Sequence, residues 1–267
     1  MRSRYIVAGL CLVLTLAVGQ AFAQPIRVVE IGDSITQGRG SEPQTQSWRY
    51  PFWKMLVDYQ LVHTDFEFDM IGSLDTGFSG DPDWPDYQGI PFDRDHEGHW
   101  GWKSWDILGY LPTWLSAYDA PPDVAMFMLG TNGSGDADAV EHNVQSHREM
   151  FELVRDENPN VIILFGLPYQ EWDPFPEMRE AFEDLAAEMT TAQSPIITVD
   201  HSPGWTSNPY VSGTDTLDWV HPNPQGELKV ALNWYAAFEE HVLPEPGTLA
   251  LLGLGALAAV TRRRRRP

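Results

Sequence analysis

The sequence predicts a three-layer α/β/α fold with a central parallel sheet of about five strands. Short apolar runs of strand length alternate along the chain with longer segments in which apolar residues recur at helical spacing. This alternation is typical of parallel strands joined by helical crossovers. The run 124–129 is almost continuously apolar, as expected for a central strand covered on both faces. The 267 residues, 43% of them hydrophobic, fit one such domain with targeting segments at its ends.

Each element follows from its local pattern. The predicted strands are short apolar runs bounded by turn residues, at 26–31, 66–71, 124–129, 161–165 and 196–199. The predicted helices carry apolar residues every three or four positions, at 48–59, 102–118, 138–157, 176–191 and 223–241. Pro112 lacks a backbone donor, so we expect the second helix to be broken or kinked there. The segment 73–95 is rich in Gly, Asp and Pro, and its length predicts a functional or disordered loop.

The first segment, 1–23, has the composition of a secretory signal peptide. Arg2 and Arg4 precede an apolar stretch, and small residues precede the expected cleavage point at Ala23. An N-terminal membrane anchor is the alternative, although the apolar stretch is short for a span. The only cysteine, Cys11, lies in this segment, so the mature body can form no internal disulfide. We expect the folded domain to occupy 24–243.

The last segment, 244–267, has three parts in order: Pro-Glu-Pro, twelve mostly apolar residues, and five arginines. Twelve residues are too few for an ordinary membrane span. The segment resembles the PEP-CTERM sorting signal of exported bacterial proteins. This resemblance implies a dedicated membrane protease as partner, cleavage near the motif, and delivery to the cell surface, the extracellular matrix or the medium. The alternative is a plain anchor with its arginines in the cytoplasm.

The charge of the chain limits its partners. The formal net charge is −21, and seven of the 17 basic residues lie near the two ends. The part between Arg4 and Arg262 therefore carries 10 basic against 38 acidic residues, a balance of −28. Such a body repels nucleic acid and anionic membrane surfaces. We expect a neutral substrate, no nucleic-acid partner, and membrane contact only transiently through the C-terminal segment.

A serine follows the first predicted strand, where α/β proteins place their chemistry. Gly32 permits a sharp turn at the end of the strand, and Asp33 and Ser34 follow it directly. A serine hydroxyl needs a base and an orienting acid, and His221 and Asp218 offer both. Taken singly, each motif has a structural alternative. The stretch 32–34 could be only a turn with a capping side chain. Asp218 could be a helix cap, and His221 could be a surface histidine.

Together, the blocks 32–34 and 218–221 resemble the first and last blocks of the GDSL/SGNH hydrolase superfamily. The resemblance implies a flavodoxin-like SGNH-hydrolase fold and ester hydrolysis through an acyl-enzyme. It makes Ser34 the nucleophile, His221 the base and Asp218 the orienting acid, with no cofactor. The chain order of this triad also occurs in α/β-hydrolases, but no G-x-S-x-G elbow surrounds Ser34, which argues against that fold.

The same resemblance implies three donors for the tetrahedral oxyanion. They are the backbone N–H of Ser34, the backbone of Gly101, and the side-chain amide of Asn132. Glycine lets the backbone approach a substrate closely, and an asparagine amide donates without carrying charge. The family often has Asp after this asparagine, where the present chain has Gly133. Alone, Asn132 could merely stabilise a turn after a strand.

The stretch 92–102, Phe-Asp-Arg-Asp-His-Glu-Gly-His-Trp-Gly-Trp, resembles the second block of carbohydrate esterase family 3, the acetylxylan esterase group. That family usually has a small residue at the position of Trp100. We take Asp33, Trp100 and Trp219 as candidate substrate-binding residues, while packing is the simpler interpretation of most other loop tryptophans. Asp93, Asp95, His96 and His99 could instead ligate a metal. Their spacing matches no zinc template, and we predict none.

These observations predict an exported serine esterase that removes acetyl or other short acyl groups from carbohydrates. One alternative is a lipid-directed GDSL esterase or lysophospholipase, which needs an apolar acyl channel that a sequence cannot reveal. Another is a non-catalytic carbohydrate-binding protein of the cell surface, against which the intact Ser34, Asp218 and His221 argue.

Overall fold

The computed structural model describes residues 24–38, 47–64, 66–80 and 84–243. The segments predicted as signal peptide, 1–23, and as sorting signal, 244–267, lie outside the described residues. None of the helices in the described ranges is both long and apolar enough to cross a membrane.

The order of elements follows the predicted alternation. The strands are β1 Ile26–Gly32, β2 Phe68–Ile71, β3 Glu97–Gly98, β4 Val124–Met128, β5 Ile162–Leu167 and β6 Ile196–Asp200. The helices are α1 Ser34–Gln37, α2 Arg49–Val62, α3 Ser104–Ala117, α4 Ala139–Glu157, α5 Phe175–Met189 and α6 Pro224–His241. Two elements were not predicted: the single turn α1 and the two-residue strand β3. Both are too short to show a hydrophobic period.

The sheet is parallel throughout its named strands, in the order β2-β1-β4-β5-β6, with β3 paired to the end of β1. Without β3 this is the flavodoxin-like order, in which the chain reverses direction between its first and third strands. Here that switch point lies between β1 and β4. Gly32 in β1 aligns with Met128 in β4 and with Gly98 in β3. The loops after these three strands therefore begin side by side.

Helices cover both faces of the sheet, which confirms the three-layer prediction. Side chains alternate between faces along a strand, so the neighbours Val28 and Val29 enter different cores. Helices α2 and α6 pack on the first core, which is rich in aromatic rings, and helices α3, α4 and α5 pack on the second. The central strand β4 is buried along its whole length, as its continuous apolar run predicted.

Helix α3 is not broken at Pro112, one of the two outcomes expected there, because it continues through this residue. The buried side chains of Ile107, Leu111 and Leu115 hold both halves of that helix against the core and offset the missing hydrogen bond. The long loop 73–95 packs on α2 through rings such as Trp84.

Candidate active site

Ser34 lies at the start of α1, directly after β1. The chain must turn sharply here, and a Cβ on Gly32 would lie 2.0 Å from the Thr36 hydroxyl oxygen, so only glycine fits. Asp33 caps the turn, because its Oδ1 accepts a hydrogen bond of 2.9 Å from the Ile35 N–H. The Asp33 side chain is only 1% exposed. Its position therefore suits a role in holding Ser34 rather than direct contact with substrate.

The block 218–221 brings its carboxylate and imidazole together. Asp218 Oδ1 accepts hydrogen bonds from the backbone N–H groups of Val220, at 3.3 Å, and His221, at 2.8 Å. The carboxylate oxygens lie 2.9 and 3.0 Å from His221 Nδ1. On the other side of the ring, His221 Nε2 lies 2.9 Å from Ser34 Oγ. The structure thus brings the three predicted triad residues into one chain of hydrogen bonds.

The electrostatics of the two aspartates differ. Burial acts to raise the pKa of Asp218, but the hydrogen bonds from the His221 backbone and ring outweigh it, and the pKa lies below its ordinary value. Burial raises the pKa of Asp33 to about 7, although hydrogen bonds from Ile35 and Thr131 act in the opposite direction. Asp218 is therefore the carboxylate that stays charged beside the imidazole.

The loop that carries His221 is anchored at several points. The hydroxyl of Tyr169 donates a 2.5 Å hydrogen bond to the carbonyl of Val220, and the Tyr169 ring stacks on Trp205 at 3.9 Å between centroids. Helix α6 begins at Pro224, three residues after His221, and Asn223 caps it by accepting from two backbone N–H groups. These contacts fix the imidazole relative to the sheet.

Gly101 lies in the loop after β3. This loop is joined to the first block, because the His99 N–H donates a 2.9 Å bond to the Gly32 carbonyl. The Trp100 N–H donates a 2.7 Å bond to Gln37 Oε1 in α1. Gly101 itself has a φ of +78°, and a Cβ there would meet no atom within 4 Å. The requirement for glycine is thus conformational, and the space beside it is open.

The buried carboxylate of Glu97, to which the sequence patterns assigned no role, supports the same loop. Glu97 is fully buried and accepts hydrogen bonds from the Ser73 N–H at 2.6 Å, the Ser73 hydroxyl at 2.8 Å and the Tyr118 hydroxyl at 2.6 Å. His99 Nε2 also lies 3.0 Å from it. No sequence signal marks Ser73 and Tyr118 as partners of Glu97, since they come from distant segments.

Asn132 follows β4 by four residues. Its side-chain amide donates a 3.0 Å hydrogen bond to the carbonyl of Trp102, one residue after Gly101. An amide carries two N–H donors, so this bond leaves one of them for a ligand. The bond also ties the loop after β4 to the loop after β3. The three predicted oxyanion positions, Ser34, Gly101 and Asn132, thus lie on adjacent, mutually bonded loops.

The two candidate tryptophans occupy different places. Trp100 stacks on the His221 imidazole, with ring centroids 4.7 Å apart and planes inclined by 10°. Its other contact is Phe78, at 4.4 Å and 19°. Trp219 lies within the 218–221 block, is 43% exposed, and contacts Tyr210 edge-on at 6.2 Å. The sequence did not predict Phe78 beside the site, because only the fold of the loop 73–95 brings it there.

The residues weighed as a metal site are engaged with protein groups. Asp93 Oδ2 accepts from the Met70 N–H at 2.9 Å, and His96 Nδ1 accepts from the Gly98 N–H at 2.9 Å. Burial lowers the pKa of His96 well below its ordinary value. Within the described ranges, no three His, Cys, Asp or Glu side chains are grouped so as to hold a metal ion.

Comparison with protein families gives two matches. The model of the GDSL-like lipase/acylhydrolase family matches residues 31–228, which include every residue of the site described above. The PEP-CTERM protein-sorting motif matches residues 242–266. That motif indicates an exported protein with a C-terminal sorting signal. No curated protein sequence matches the chain significantly.

Solved structures share the fold. A carbohydrate esterase family 3 protein from Talaromyces cellulolyticus is 27% identical, with a TM-score of 0.64 over 80% of this chain and 97% of that chain. A mutant acetyl esterase with acetate ion gives the same identity, TM-score and coverage. A family 3 carbohydrate esterase from Clostridium thermocellum is 22% identical, with a TM-score of 0.61 over 81% and 96% of the two chains, and this likeness concerns the fold alone.

Proposed function

Because this chain belongs to the GDSL-like lipase/acylhydrolase family and is a carboxylic ester hydrolase, we propose that it removes acetyl groups from carbohydrates through Ser34, His221 and Asp218. The observation that supports the triad most directly is the 2.9 Å separation of Ser34 Oγ and His221 Nε2, with Asp218 on the opposite ring nitrogen. A serine, a base and an orienting acid in this arrangement are the requirements of acyl transfer.

The first half of the reaction forms an acyl-enzyme. His221 Nε2 takes the proton of Ser34 Oγ while that oxygen attacks the ester carbonyl, and Asp218 stabilises the resulting imidazolium. The carbonyl oxygen becomes an oxyanion, which accepts hydrogen bonds from the Ser34 N–H, the Gly101 N–H and the Asn132 amide. His221 then gives its proton to the sugar oxygen as the bond between that oxygen and the acyl carbon breaks, and the sugar leaves as an alcohol.

The second half releases the acid. Water takes the place of the sugar alcohol, and His221 removes one of its protons as the water oxygen attacks the acyl carbon. The same donors stabilise the second oxyanion. Return of the proton from His221 to Ser34 Oγ breaks the acyl–serine bond and releases acetate. Every proton moves between Ser34, His221, water and the sugar oxygen, so the steps balance with these groups.

Three observations support a carbohydrate acetate as the substrate. The two structures at 27% identity are a carbohydrate esterase and an acetyl esterase. The Trp100 indole stacks on the His221 imidazole, and a bulky ring at this position limits the space for a long acyl chain. The net charge of −21 disfavours an anionic lipid surface.

We also propose the processing that the two ends suggest. The segment 1–23 is removed as a signal peptide, and a dedicated membrane protease recognises 244–267 and cleaves near its motif. The mature domain then corresponds to 24–243 and acts at the cell surface, in the extracellular matrix or in the medium.

The substrate class is tested with a series of 4-nitrophenyl esters of two to twelve carbons, assayed beside acetylated xylan and other acetylated glycans. We expect kcat/KM to be highest for the acetyl ester and to fall with each added methylene, and we expect acetate release from at least one glycan. A maximum at eight carbons or more, with no acetate released from any glycan, would contradict the proposal and favour the lipid-directed alternative.

A further inference from the structure

Two large aromatic side chains are exposed beside the triad. Tyr210 is 86% exposed and Trp219 is 43% exposed, and their rings meet edge-on with centroids 6.2 Å apart. Both lie in the irregular segment between β6 and α6 that also carries Asp218 and His221. Packing in the core does not explain why these two positions carry large aromatic residues, since both side chains are exposed to solvent.

The backbone of Trp219 makes its exposure more informative. Its φ is +72°, in the left-handed region that bulky side chains rarely adopt. The turn of the 218–221 block imposes this conformation, and glycine or asparagine would adopt it more readily. The side chain of Trp219 is nevertheless 43% exposed, and the residue lies in the chain between Asp218 and Val220, one residue after the carboxylate that bonds the His221 ring. Such outliers at functional sites are a basis for inferring a role for the side chain.

The segment that displays the two rings is fixed in place. The Leu217 N–H donates a 2.8 Å bond to the His221 carbonyl, and the Tyr210 N–H donates a 3.0 Å bond to Asn208 Oδ1. Leu217, adjacent to Asp218, also lines a small pocket that includes Ser34 and His221. The segment that carries the two rings therefore also borders the reaction centre through Leu217, and hydrogen bonds hold it in place.

On these grounds we infer that Tyr210 and Trp219 form a stacking surface for the sugar rings of a neutral polysaccharide chain whose ester carbonyl is at Ser34. This inference rests on the proposed function. A pyranose ring offers an apolar C–H face and a hydroxyl rim, which suits an exposed aromatic face with polar neighbours. The flanking residues Asn208 and Ser212 supply such neighbours.

Charge favours a neutral polymer over other ligands of an aromatic surface. The chain carries a net charge of −21, which disfavours polyuronates, nucleic acid and anionic headgroups. The segment that carries the two rings also exposes the apolar side chains of Val211, at 43%, and Leu217, at 40%. The carboxylate of Asp218, 43% exposed, lies between Leu217 and Trp219 in the chain, and burying this charge in a lipid surface is unfavourable. The polymer is therefore the occupant that this surface fits.

The test compares Tyr210→Ala, Tyr210→Phe and the control Leu232→Ala. Leu232 is a 49% exposed apolar residue on α6 outside the proposed surface. For each protein, kcat/KM is measured on acetylated xylan and on 4-nitrophenyl acetate. We expect Tyr210→Ala to lower the ratio of the two values roughly five- to tenfold, mainly through KM for the polymer. We expect the ratio for Tyr210→Phe to stay close to the wild-type ratio, because the ring remains. The ratio for Leu232→Ala should equal the wild-type ratio.

A second measurement separates this inference from the proposed function. Ser34→Ala, alone and combined with Tyr210→Ala, is run by affinity electrophoresis in gels containing unacetylated neutral xylan, and is mixed with phosphatidylcholine vesicles. The stacking surface is supported if xylan retards Ser34→Ala but does not retard the double variant with Tyr210→Ala. This result counts even if the wild type releases no acetate from any glycan. An unchanged polymer-to-small-ester ratio in Tyr210→Ala, or binding to vesicles but not to xylan, would overturn it.

Discussion

The indole of Trp100 lies flat against the imidazole of His221, with centroids 4.7 Å apart and planes 10° from parallel. Phe78 supports the outer face of the same indole at 4.4 Å, and Gln37 Oε1 holds the Trp100 backbone N–H. The Trp100 indole thus has two contacts in the proposed mechanism: it bounds the acyl site, and it packs on the base His221. A substitution at Trp100 should therefore change acyl selectivity.

We predict that Trp100→Ala raises the ratio of kcat/KM for butanoyl esters to that for acetyl esters by on the order of tenfold. The space left by the indole can accept two more methylenes, each worth ~0.8 kcal/mol when buried. The ratio is used because loss of the stack on His221 can lower both values. Trp100→Phe keeps a smaller ring, so its ratio should lie between those of the wild type and Trp100→Ala. Identical ratios in all three proteins would show that Trp100 does not bound the acyl site.

We predict that Asn132→Ala lowers kcat by about 10²–10³-fold, the range for loss of one oxyanion donor. The same change removes the 3.0 Å bond to the Trp102 carbonyl, so thermal unfolding is measured alongside to detect a loosened loop. Steady-state kinetics on 4-nitrophenyl acetate give kcat and KM separately. A change confined to KM would show that Asn132 positions substrate and does not stabilise the transition state.

We predict that kcat/KM falls as pH is lowered, because His221 accepts the Ser34 proton only when neutral. The pKa of Asp218 is lowered by its bonds to His221, which outweigh its burial, so Asp218 stays ionised over that range. In Asp218→Asn the amide no longer stabilises the imidazolium that forms when Ser34 attacks, so kcat/KM should be lower at every pH. Values of kcat/KM that are identical in both proteins across the pH range would remove Asp218 from its proposed role.

We predict that Asp33→Asn stabilises the protein more at pH 7.5 than at pH 4. Burial raises the pKa of Asp33 to about 7, so the folded state binds a proton that the unfolded state has already lost. The contribution of Asp33 to the free energy of unfolding is thus full below about pH 4 and is lost as pH rises through about 7. The asparagine keeps an oxygen for the Ile35 N–H, at 2.9 Å in the wild type.

Urea unfolding of the wild type and Asp33→Asn across this pH window measures the effect. The difference between the two free energies of unfolding should grow with pH, by on the order of a few kcal/mol. Curves that stay parallel from pH 4 to pH 7.5 would mean that Asp33 ionises in the folded state much as it does in the unfolded chain.

We predict that deletion of 244–267 changes the destination of the protein and not its activity. Helix α6 ends at His241, and the sorting motif matches only 242–266. Purified full-length and truncated proteins should give the same kcat/KM on 4-nitrophenyl acetate, while the truncated form is released in soluble form by the producing cell. A truncated protein that fails to fold would show that the tail belongs to the domain.

The sequence predicted the architecture and the proximity of Ser34, Asp218 and His221 because both leave local signals. Apolar runs located five of the strands, and the spacing of three residues between Asp218 and His221 lets one turn close their contact. The parts it did not predict depend on pairings between distant segments. Phe78 reaches Trp100 from a loop without a period, and Tyr169 bonds the Val220 carbonyl across 51 residues. Nothing in the local pattern at either end specifies such partners.

The most direct test of the central claim is acetate release from acetylated xylan by the wild type and by Ser34→Ala. Ser34 is buried and 2.9 Å from His221, and alanine removes only the hydroxyl, so both proteins should unfold at similar temperatures. We expect release by the wild type and a loss of more than ~10³-fold in Ser34→Ala, since members of a triad act as a unit. Equal release by the two folded proteins would contradict the mechanism proposed for this chain.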